Sequence, residues 1–230
     1  MLILGITKTT LLDYPGRVAA SIFTGGCNFR CPYCHNKDIV LENKTLTLYD
    51  ETEILSFLKR RKHLLSGVCI TGGEPTLHND LPDFIKRIRT LGYYVKLDTN
   101  GSNPDILETL LKNKLIDYCA MDIKNSPEKY ELTIGLKADT FAVKSSVQML
   151  LSQQEIPYEF RTTVVSELHD SIDIYTIAKW ISGAKAYFLQ PYTDSEGIFC
   201  RGFHAPSKET LESYIKLCKP FIYNVALRGI

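Results

Sequence analysis

The chain has 230 residues, of which 44% are hydrophobic and 23% are charged, and its formal net charge is +1 at pH 7. This length can bury a sizeable core, and a nearly neutral charge gives no reason to expect general attraction to nucleic acids or anionic membranes. The first segment, MLILGITKTT, lacks a basic region and a long apolar run, so we expect neither a signal peptide nor a membrane span. Seven cysteines, four of them scattered, disfavour a secreted disulfide scaffold and favour a reducing cytoplasm.

Short apolar runs alternate along the chain with segments in which apolar residues recur at helical spacing. Asp50 is a candidate N-cap of the first helix, and Pro104 falls in the first turn of the third. In chain order we predict a strand at 18–23, a helix at 49–65, a strand at 67–73, a helix at 81–92, a strand at 93–101, a helix at 103–114, a strand at 117–124, a helix near 139–154, a strand at 158–165, a helix near 170–182, a strand at 186–192, a helix at 207–219 and a strand at 221–227.

Strands that alternate with helices in this way predict an α/β fold with a parallel sheet and right-handed crossovers. The pattern contains six βα units, which are too few for a closed barrel of eight strands and suit an open, partial barrel. No internal repeat, low-complexity tract or linker rich in proline and serine interrupts residues 1–230, so we predict a single domain.

Polar residues stand at or just beyond the predicted carboxyl ends of the strands. In barrel-like α/β folds, the active site is built at that end of the sheet. Six sets of polar residues in register therefore predict one lined cavity. They are Cys27 with its neighbouring cysteines, Gly72–Glu74, Asp98–Asn100, Asp122–Lys124, Arg161 and Gln190.

The loop GGCNFRCPYCHN, residues 25–36, holds three cysteines within eight positions: Cys27, Cys31 and Cys34. Three thiols this close indicate a metal, either a structural zinc ion or an iron–sulfur cluster. Zinc needs four protein ligands, and the nearest candidate, His35, is adjacent to Cys34 and poorly placed to reach the same ion. Three thiolates would leave one iron of a cubane without a protein ligand, where a small molecule can bind, so the spacing favours the cluster.

The spacing Cys27-x3-Cys31-x2-Cys34, with Tyr33 before the last cysteine, resembles the signature of the radical S-adenosylmethionine (SAM) enzymes. Within these, the chain resembles the activating enzymes of glycyl radical enzymes. It is most similar to those of anaerobic ribonucleoside-triphosphate reductases, relatives of the pyruvate formate-lyase activating enzyme. The matching runs extend over most of residues 13–165 and are DYPGR, GGCNFRCPYCHN, ITGGEPTL, KLDTNGSNP, DYCAMDIK and YEFRTTVV.

This resemblance implies an open partial (β/α)6 barrel of the radical SAM type that binds a [4Fe–4S] cluster and SAM. It implies that the reduced cluster cleaves SAM to methionine and a 5′-deoxyadenosyl radical, which takes a hydrogen atom from a glycine of a partner enzyme. The expected partner is an anaerobic ribonucleoside-triphosphate reductase or a formate lyase, with a flavodoxin or ferredoxin as the electron donor. We expect no membrane and no nucleic-acid partner.

By the same resemblance, Cys27, Cys31 and Cys34 would hold the cluster. Residues of the TGGE, DTN and MDIK runs, together with single positions elsewhere, would contact SAM. They are Tyr33, Gly72, Gly73, Glu74, Asp98, Thr99, Asn100, Asp122, Lys124, Arg161 and Gln190.

Several of these residues also have ordinary structural explanations, which the sequence leaves open. Gly72 and Gly73 suit a tight turn after a strand, and the Glu74 carboxylate suits a tie within its own loop. Asp98 and Asn100 suit an N-cap or a turn.

The polar residues of the later strands have the same two explanations. Asp122 and Lys124 alternate on a strand and share a face, so they can form a plain salt bridge or meet the carboxylate of SAM. Arg161 is a cation on a predicted buried strand, where it costs free energy unless it is paired, and a ligand carboxylate or ribose would account for it.

The resemblance also implies a monovalent cation beside the methionine carboxylate of SAM, as in the pyruvate formate-lyase relative. Its ligands here would be the side chains of Asp98 and Asp122 and the backbone oxygens of Thr99 and Ala120.

The chain departs from its relatives at two places. Thr193 stands where the formate-lyase activating enzyme has a histidine that contacts the nucleoside, which weakens the assignment to formate lyase. Only 37 residues separate Cys34 from Gly72, and Cys69 is the sole cysteine among them. The inserted segment with further clusters that several other activating enzymes carry is therefore not expected, which favours the simpler activating enzymes.

Two other functions remain open. The first is a radical SAM enzyme that acts on a small molecule, a nucleotide or tRNA. The second is a non-enzymatic zinc or electron-carrier module, which leaves TGGEP, DTNG and MDIK without a role. Among the remaining residues we expect buried thiols at Cys69 and Cys119, and surface histidines at His63, His78, His169 and His204.

Overall fold

The structure, a computed structural model, describes residues 1–137 and 140–229. Its residues group into two compact units. The first comprises Met1–Asn28, Asp38–Cys119 and Glu155–Pro157, and the second comprises Phe29–Lys37, Ala120–Gln154 and Tyr158–Ile230. The single domain over residues 1–230 stays a prediction. Asp139, the first residue of the helix predicted near 139–154, lies outside the described residues.

The first unit is built from strands and helices that alternate along the chain, as predicted. Strands β2, β3 and β4 pair in parallel, whereas β1 runs antiparallel to β2. A short 3₁₀ turn at Pro75–Leu77 follows β3. The elements are β1 (Ile3–Thr10), β2 (Ala19–Thr24), α1 (Lys37–Val40) without its first residue, α2 (Glu51–Arg61), β3 (Gly67–Gly72), α3 (Leu81–Thr90), β4 (Tyr94–Thr99), α4 (Pro104–Lys112) and the first two residues of β5 (Tyr118–Asp122).

The second unit continues the same alternation. Strands β6, β7 and β8 pair in parallel, and a short 3₁₀ turn at Pro127–Lys129 precedes α5. After the last three residues of β5, the elements are α5 (Tyr130–Ile134), α6 (Thr140–Ser152), β6 (Tyr158–Val164), α7 (Ser171–Trp180), β7 (Ala186–Pro191), α8 (Lys208–Cys218) and β8 (Asn224–Leu227).

The topology of the sheet confirms the predicted fold class. Hydrogen-bonded strands follow the order β1-β2-β3-β4-β5 in the first unit and β5-β6-β7-β8 in the second, and the described residues thus form a mixed α/β fold. Each strand from β2 to β7 is followed by a helix, which gives the six predicted βα units. In the described residues, no helix is long and apolar enough to cross a membrane.

Three elements of the structure, β1, α1 and α5, are not among those predicted from the sequence. In β1 only Ile3 and Leu4 are buried, and register shifts interrupt its pairing with β2, so the segment lacks the alternation that marks a strand. Helices α1 and α5 have four and five residues, too few for an apolar periodicity to show.

The predicted start of α2 is confirmed by its capping contacts. The Asp50 carboxylate accepts a hydrogen bond from the Thr52 N–H at 2.7 Å, and the Glu53 carboxylate accepts one from the Asp50 N–H at 3.2 Å. This capping box satisfies N–H groups that the first turn of a helix leaves without partners.

Both faces of the central parallel strands of the first unit are buried. Val68 and Ile70 of β3 and Val95 and Leu97 of β4 are fully buried on one face. Cys69 is fully buried on the other face of β3, as predicted. Strands covered on both sides leave only their ends accessible, so polar residues of this unit that can meet a ligand are expected at the strand ends.

Candidate active site

The cysteine loop begins directly after β2, and the boundary between the two units falls inside it, between Asn28 and Phe29. Cys27 therefore belongs to the first unit, and Cys31 and Cys34 belong to the second. All seven cysteines are thiols. In the part of the chain that the structure describes, no three His, Cys, Asp or Glu side chains are grouped as ligands of one metal ion.

Backbone hydrogen bonds fix the chain just ahead of Cys27. The Gly26 N–H donates to the Ile39 carbonyl at 3.0 Å, and the Gly26 carbonyl accepts from the Glu74 N–H at 2.8 Å. The start of the cysteine loop is thereby held by α1 and by the residues that follow β3.

Gly72 and Gly73 allow the end of β3 to pack against backbone. Gly72 has φ +117°, in the region that favours glycine, and the Gly73 N–H donates to the Thr24 carbonyl at 2.9 Å. A Cβ on Gly73 would lie 2.6 Å from the carbonyl carbon of Gly26. Gly72 and Gly73 therefore permit close contact with neighbouring backbone of the protein. This favours the explanation in which they serve a tight turn after the strand.

We predict that Gly73→Ala lowers the free energy of unfolding by about 1–3 kcal/mol or more, because the new methyl group has to displace the Gly26 backbone. Urea denaturation of the metal-free protein measures this loss. Gly5→Ala is the matched control, since its Cβ would make an ordinary 3.4 Å contact with the Phe23 side chain. An equal loss in both variants would contradict the packing argument.

Glu74 is a buried carboxylate that ties two strand ends together. Its Oε1 accepts hydrogen bonds from the Thr76 N–H at 3.0 Å and the Thr99 hydroxyl at 2.7 Å. Its Oε2 accepts from the Asn100 N–H at 2.6 Å. The side chain has no exposed surface, and burial raises the pKa of its carboxyl group against the effect of these hydrogen bonds. The geometry thus favours the structural explanation of Glu74, in which it positions Thr99 and Asn100.

Asn100 is the residue that connects the end of β4 to the first cysteine. Its Nδ2 donates to Cys27 Sγ at 3.8 Å and to Asn28 Oδ1 at 3.1 Å. Its backbone is fixed by Glu74, as described above. A hydrogen bond to the sulfur stabilises a thiolate, and hydrogen bonds of this kind tune metal clusters.

Lys96 forms an ion pair with Asp98 on β4. Lys96 is 1% exposed, and its Nζ also lies 3.7 Å from Cys69 Sγ. Asp98 is among the predicted site residues, whereas Lys96 is not. The signal was present, because a lysine between Val95 and Leu97 interrupts an otherwise apolar strand.

In the second unit, one carboxylate pairs with two cations. Asp122 Oδ2 accepts from Lys124 Nζ at 2.9 Å, and Asp122 Oδ1 accepts from Arg161 Nε at 2.9 Å. Burial opposes ionisation of Asp122, but Arg161 and Lys124 overcome it and hold the pKa of this carboxyl well below its usual range. Burial likewise opposes the charge on Lys124, yet Asp122 and Cys31 raise the pKa of its ammonium group well above the usual value. All three groups are therefore charged at neutral pH.

Arg161 does not lie at a strand end, contrary to the sequence prediction. It is the fourth of seven residues in β6. Its carbonyl accepts from the Ile123 N–H at 2.8 Å, one residue beyond the end of β5. The arginine is level with the carboxyl end of β5 because β6 extends further than its neighbour.

Tyr33 carries a buried hydroxyl group whose Oη has no hydrogen-bond partner in the described residues. Its ring makes an edge contact with Phe203, with 6.5 Å between centroids. Burial raises the pKa of Tyr33, a negative charge on Cys31 raises it further, and the positive charge of Lys124 lowers it. A buried hydroxyl without a partner is costly, so this atom suits contact with a bound polar group.

Three further residues complete this part of the second unit. Gln190 is the fifth of six residues in β7, and it pairs in register with Thr163. His35 stacks on Tyr192 with 6.0 Å between ring centroids, and burial followed by the Lys124 charge lowers the pKa of its imidazole. Of these three, only Gln190 belongs to the predicted set of site residues, and it lies near the carboxyl end of β7.

His169 was expected at the surface, and that prediction is wrong. The side chain is 3% exposed, and burial lowers the pKa of its imidazole. Nδ1 accepts from the Val165 N–H at 3.1 Å, and Nε2 donates to the Lys124 carbonyl at 2.8 Å. The neutral ring therefore positions the backbone of Lys124, a role that no local sequence pattern marks.

The structure thus gathers twelve of the fourteen predicted residues into one group in each unit. The other two, Cys34 and Gln190, belong to the second unit. The first group contains Cys27, Gly72, Gly73, Glu74, Asp98, Thr99 and Asn100, and the second group contains Cys31, Tyr33, Asp122, Lys124 and Arg161.

Comparison with known proteins identifies the family of the chain. The model of the radical SAM superfamily matches residues 21–171. A Methanocaldococcus jannaschii protein with the provisional name glycyl-radical enzyme activating enzyme is 34% identical over 236 residues, which cover 100% of this chain and 96% of that protein. The pyruvate formate-lyase-activating enzyme of Clostridium pasteurianum is 34% identical over 201 residues, or 81% of this chain and 80% of that protein.

Other similarities are more distant. A Thermococcus kodakarensis protein provisionally named GTP 3′,8-cyclase is 26% identical over 219 residues, covering 90% of this chain and 69% of that protein. Among solved structures, a domain of pyruvate-formate lyase-activating enzyme from Bacteroides vulgatus matches with a TM-score of 0.58 and 19% identity, over 71% of this chain and 99% of that chain. This likeness shows the fold alone and confirms the expected type of α/β sheet. Together with the match over residues 21–171, these similarities show that the chain belongs to the radical SAM superfamily.

Proposed function

We propose that this protein installs a glycyl radical on a partner enzyme, and that the partner is an anaerobic ribonucleoside-triphosphate reductase. The observation that carries the proposal is the full-length similarity to a protein named for glycyl-radical enzyme activation. Similarity to a pyruvate formate-lyase-activating enzyme over 81% of the chain supports the same class of partner.

Membership of the superfamily implies a [4Fe–4S] cluster and SAM as cofactors. When bound, they supply a 5′-deoxyadenosyl radical that removes a hydrogen atom. The donor set of this chain fits them. The loop offers three thiols for three irons, Asn100 donates a hydrogen bond to Cys27 Sγ, and the buried Tyr33 hydroxyl suits a polar ligand.

The proposed tasks of the protein are to hold these groups and to orient SAM. Cys27, Cys31 and Cys34 hold the cluster. Charged groups of the second unit then suit the methionine carboxylate, because the Lys124 ammonium and the Arg161 guanidinium are fixed by Asp122 and partly buried. Thr99, Asn100 and Gln190 suit the ribose and base by hydrogen bonding.

One feature of the sequence favours the reductase over formate lyase: Thr193 replaces a histidine of the formate-lyase activating enzyme. The short stretch between Cys34 and Gly72 suits the simpler activating enzymes, which serve either of these two partners. The proposed electron donor is a flavodoxin or ferredoxin, and the proposed location is the cytoplasm.

The proposal predicts a glycyl radical on the partner. Reconstituted enzyme, reduced under anaerobic conditions, should produce a doublet in the electron paramagnetic resonance spectrum when it is mixed with SAM and an anaerobic ribonucleoside-triphosphate reductase. A formate lyase in a parallel mixture should give little or no doublet. The Cys31→Ala enzyme is the matched control and should give none with either protein.

The second candidate function is turnover of a small molecule, favoured by the similarity to a provisionally named GTP 3′,8-cyclase. SAM cleavage without a radical on either protein, but with conversion of an added nucleotide, would replace the first proposal by the second. A doublet on the formate lyase alone would retain the class of activity and change the partner.

A further inference from the structure

Lys96 is a lysine that is not among the site residues predicted from the sequence. It lies in the middle of β4, and the residue is 1% exposed. An ammonium group removed from water is costly unless a carboxylate compensates it. Here the compensating group is Asp98, two residues further along the same strand. Strand β4 thus carries its own counter-ion for Asp98.

The geometry of strand β4 brings Lys96 and Asp98 together. Side chains two residues apart lie on one face, so Lys96 and Asp98 share a face. Val95 and Leu97 fill the opposite face and are fully buried. The parallel register sets Cys69 of β3 beside Lys96, with Sγ 3.7 Å from Nζ. The lysine stem is therefore buried and its ammonium is directed toward Asp98.

The residues do not fit the monovalent cation that the family resemblance implies at Asp98 and Asp122. Asp98 is already paired with Lys96 in the first unit. Asp122 is already paired with Lys124 and Arg161 in the second, each at 2.9 Å. Each carboxylate thus already has a cationic partner within its own unit, and that partner's positive charge would repel a metal cation bound to the same carboxylate.

We infer that the ammonium group of Lys96 takes the place of the monovalent cation, so that this protein binds and cleaves SAM without sodium or potassium. A tethered ammonium supplies the same charge next to Asp98, together with three hydrogen-bond donors. Unlike a bound ion it does not dissociate when the salt changes. The inference rests on the proposed SAM site and does not depend on the identity of the partner enzyme.

The first test compares salts on the reconstituted wild-type enzyme. The dissociation constant for SAM and the rate of 5′-deoxyadenosine release are measured in potassium, sodium and tetramethylammonium chloride at one ionic strength of about 0.1 M. Both values should agree within about twofold in the three salts, a difference well below that of one lost ionic hydrogen bond. A loss of SAM affinity in tetramethylammonium that potassium restores would overturn the inference.

The second test detects a bound ion directly, with no need for activity. Thallium(I), a mimic of potassium, is added to the wild-type protein and observed by NMR. The wild type should not broaden the thallium resonance beyond the level given by Asp98→Asn, a variant that lacks the carboxylate in question. Broadening that disappears on Asp98→Asn would overturn the inference.

Substitution of Lys96 should make SAM binding dependent on potassium. Lys96→Met should bind SAM about tenfold more weakly in tetramethylammonium, as expected when one charge-assisted contact is lost, and potassium should restore binding. The double variant Lys96→Met with Asp98→Asn has no carboxylate to hold an ion, so potassium should leave it unchanged. Restoration in the double variant would overturn the inference.

The outcomes separate this inference from the proposed function. If Lys96→Met does not fold, the wild-type comparison of salts and the thallium spectrum decide alone. Absence of SAM cleavage by the wild type in every salt would overturn the proposed function. A potassium requirement of an otherwise active wild type would overturn only the assignment of Lys96.

Discussion

Replacing any one of Cys27, Cys31 or Cys34 with alanine will abolish SAM cleavage. The remaining two thiolates would hold two of the four irons of a cubane, and a cluster held in that way is labile. Iron and sulfide analysis after anaerobic reconstitution, together with 5′-deoxyadenosine release on reduction, measures both parts of the effect. We expect loss of the cluster absorbance and no detectable 5′-deoxyadenosine.

Cys200→Ala is the matched control for this prediction, because Cys200 is exposed. It should retain iron content and SAM cleavage near the wild-type level. Cys218 is less suitable as a control, since the side chain is fully buried and burial raises the pKa of its thiol to about 12. A cluster that survives loss of Cys31, or that disappears with Cys200, would contradict the assignment of the ligands.

Lys124→Met and Arg161→Met will each weaken SAM binding by roughly ten- to a hundredfold. Each change removes a charge-assisted hydrogen bond, worth on the order of 1.5–3 kcal/mol, which corresponds to that range of dissociation constants. The cluster should be unaffected, because neither residue is a proposed ligand of iron. Equilibrium binding of SAM and the visible absorbance of the reconstituted variants test the two statements separately.

Lys208→Met is the control for the lysine variant, since Lys208 is an exposed residue at the start of α8. It should bind SAM as the wild type does. A Lys124→Met enzyme with unchanged SAM affinity would show that Lys124 serves only as a salt-bridge partner of Asp122. Loss of iron from the same variant would instead place Lys124 in support of the cysteine loop.

Local patterns were sufficient to predict most of the fold. The apolar runs of β2 and β3 are largely buried and glycine follows each of them, so their type and order were readable from spacing alone. Asp50 also marked the start of α2 by a local rule. Strand β1 was not readable in this way, because its outer half is exposed and its pairing is irregular.

Site residues that belong to a short sequence motif could be predicted. Residues whose role depends on burial could not. The spacing of Cys27, Cys31 and Cys34 indicated a metal without any structure. By contrast, the sequence could not show that Glu74 has no exposed surface, or that His169 holds the Lys124 carbonyl. Residues far apart in the chain create these environments, so no window of sequence contains them.

Strand β1 has a consequence for how the protein behaves at high concentration. Strand β2 is apolar and would otherwise present unpaired N–H and C=O groups to any other extended chain. Strand β1 pairs with that edge of β2. The carboxyl-terminal half of β1 is largely exposed and polar, and it carries a positive charge at Lys8. Register shifts also interrupt its pairing, so β1 is a poor template for a further strand. The first ten residues thus disfavour edge-to-edge aggregation of the sheet.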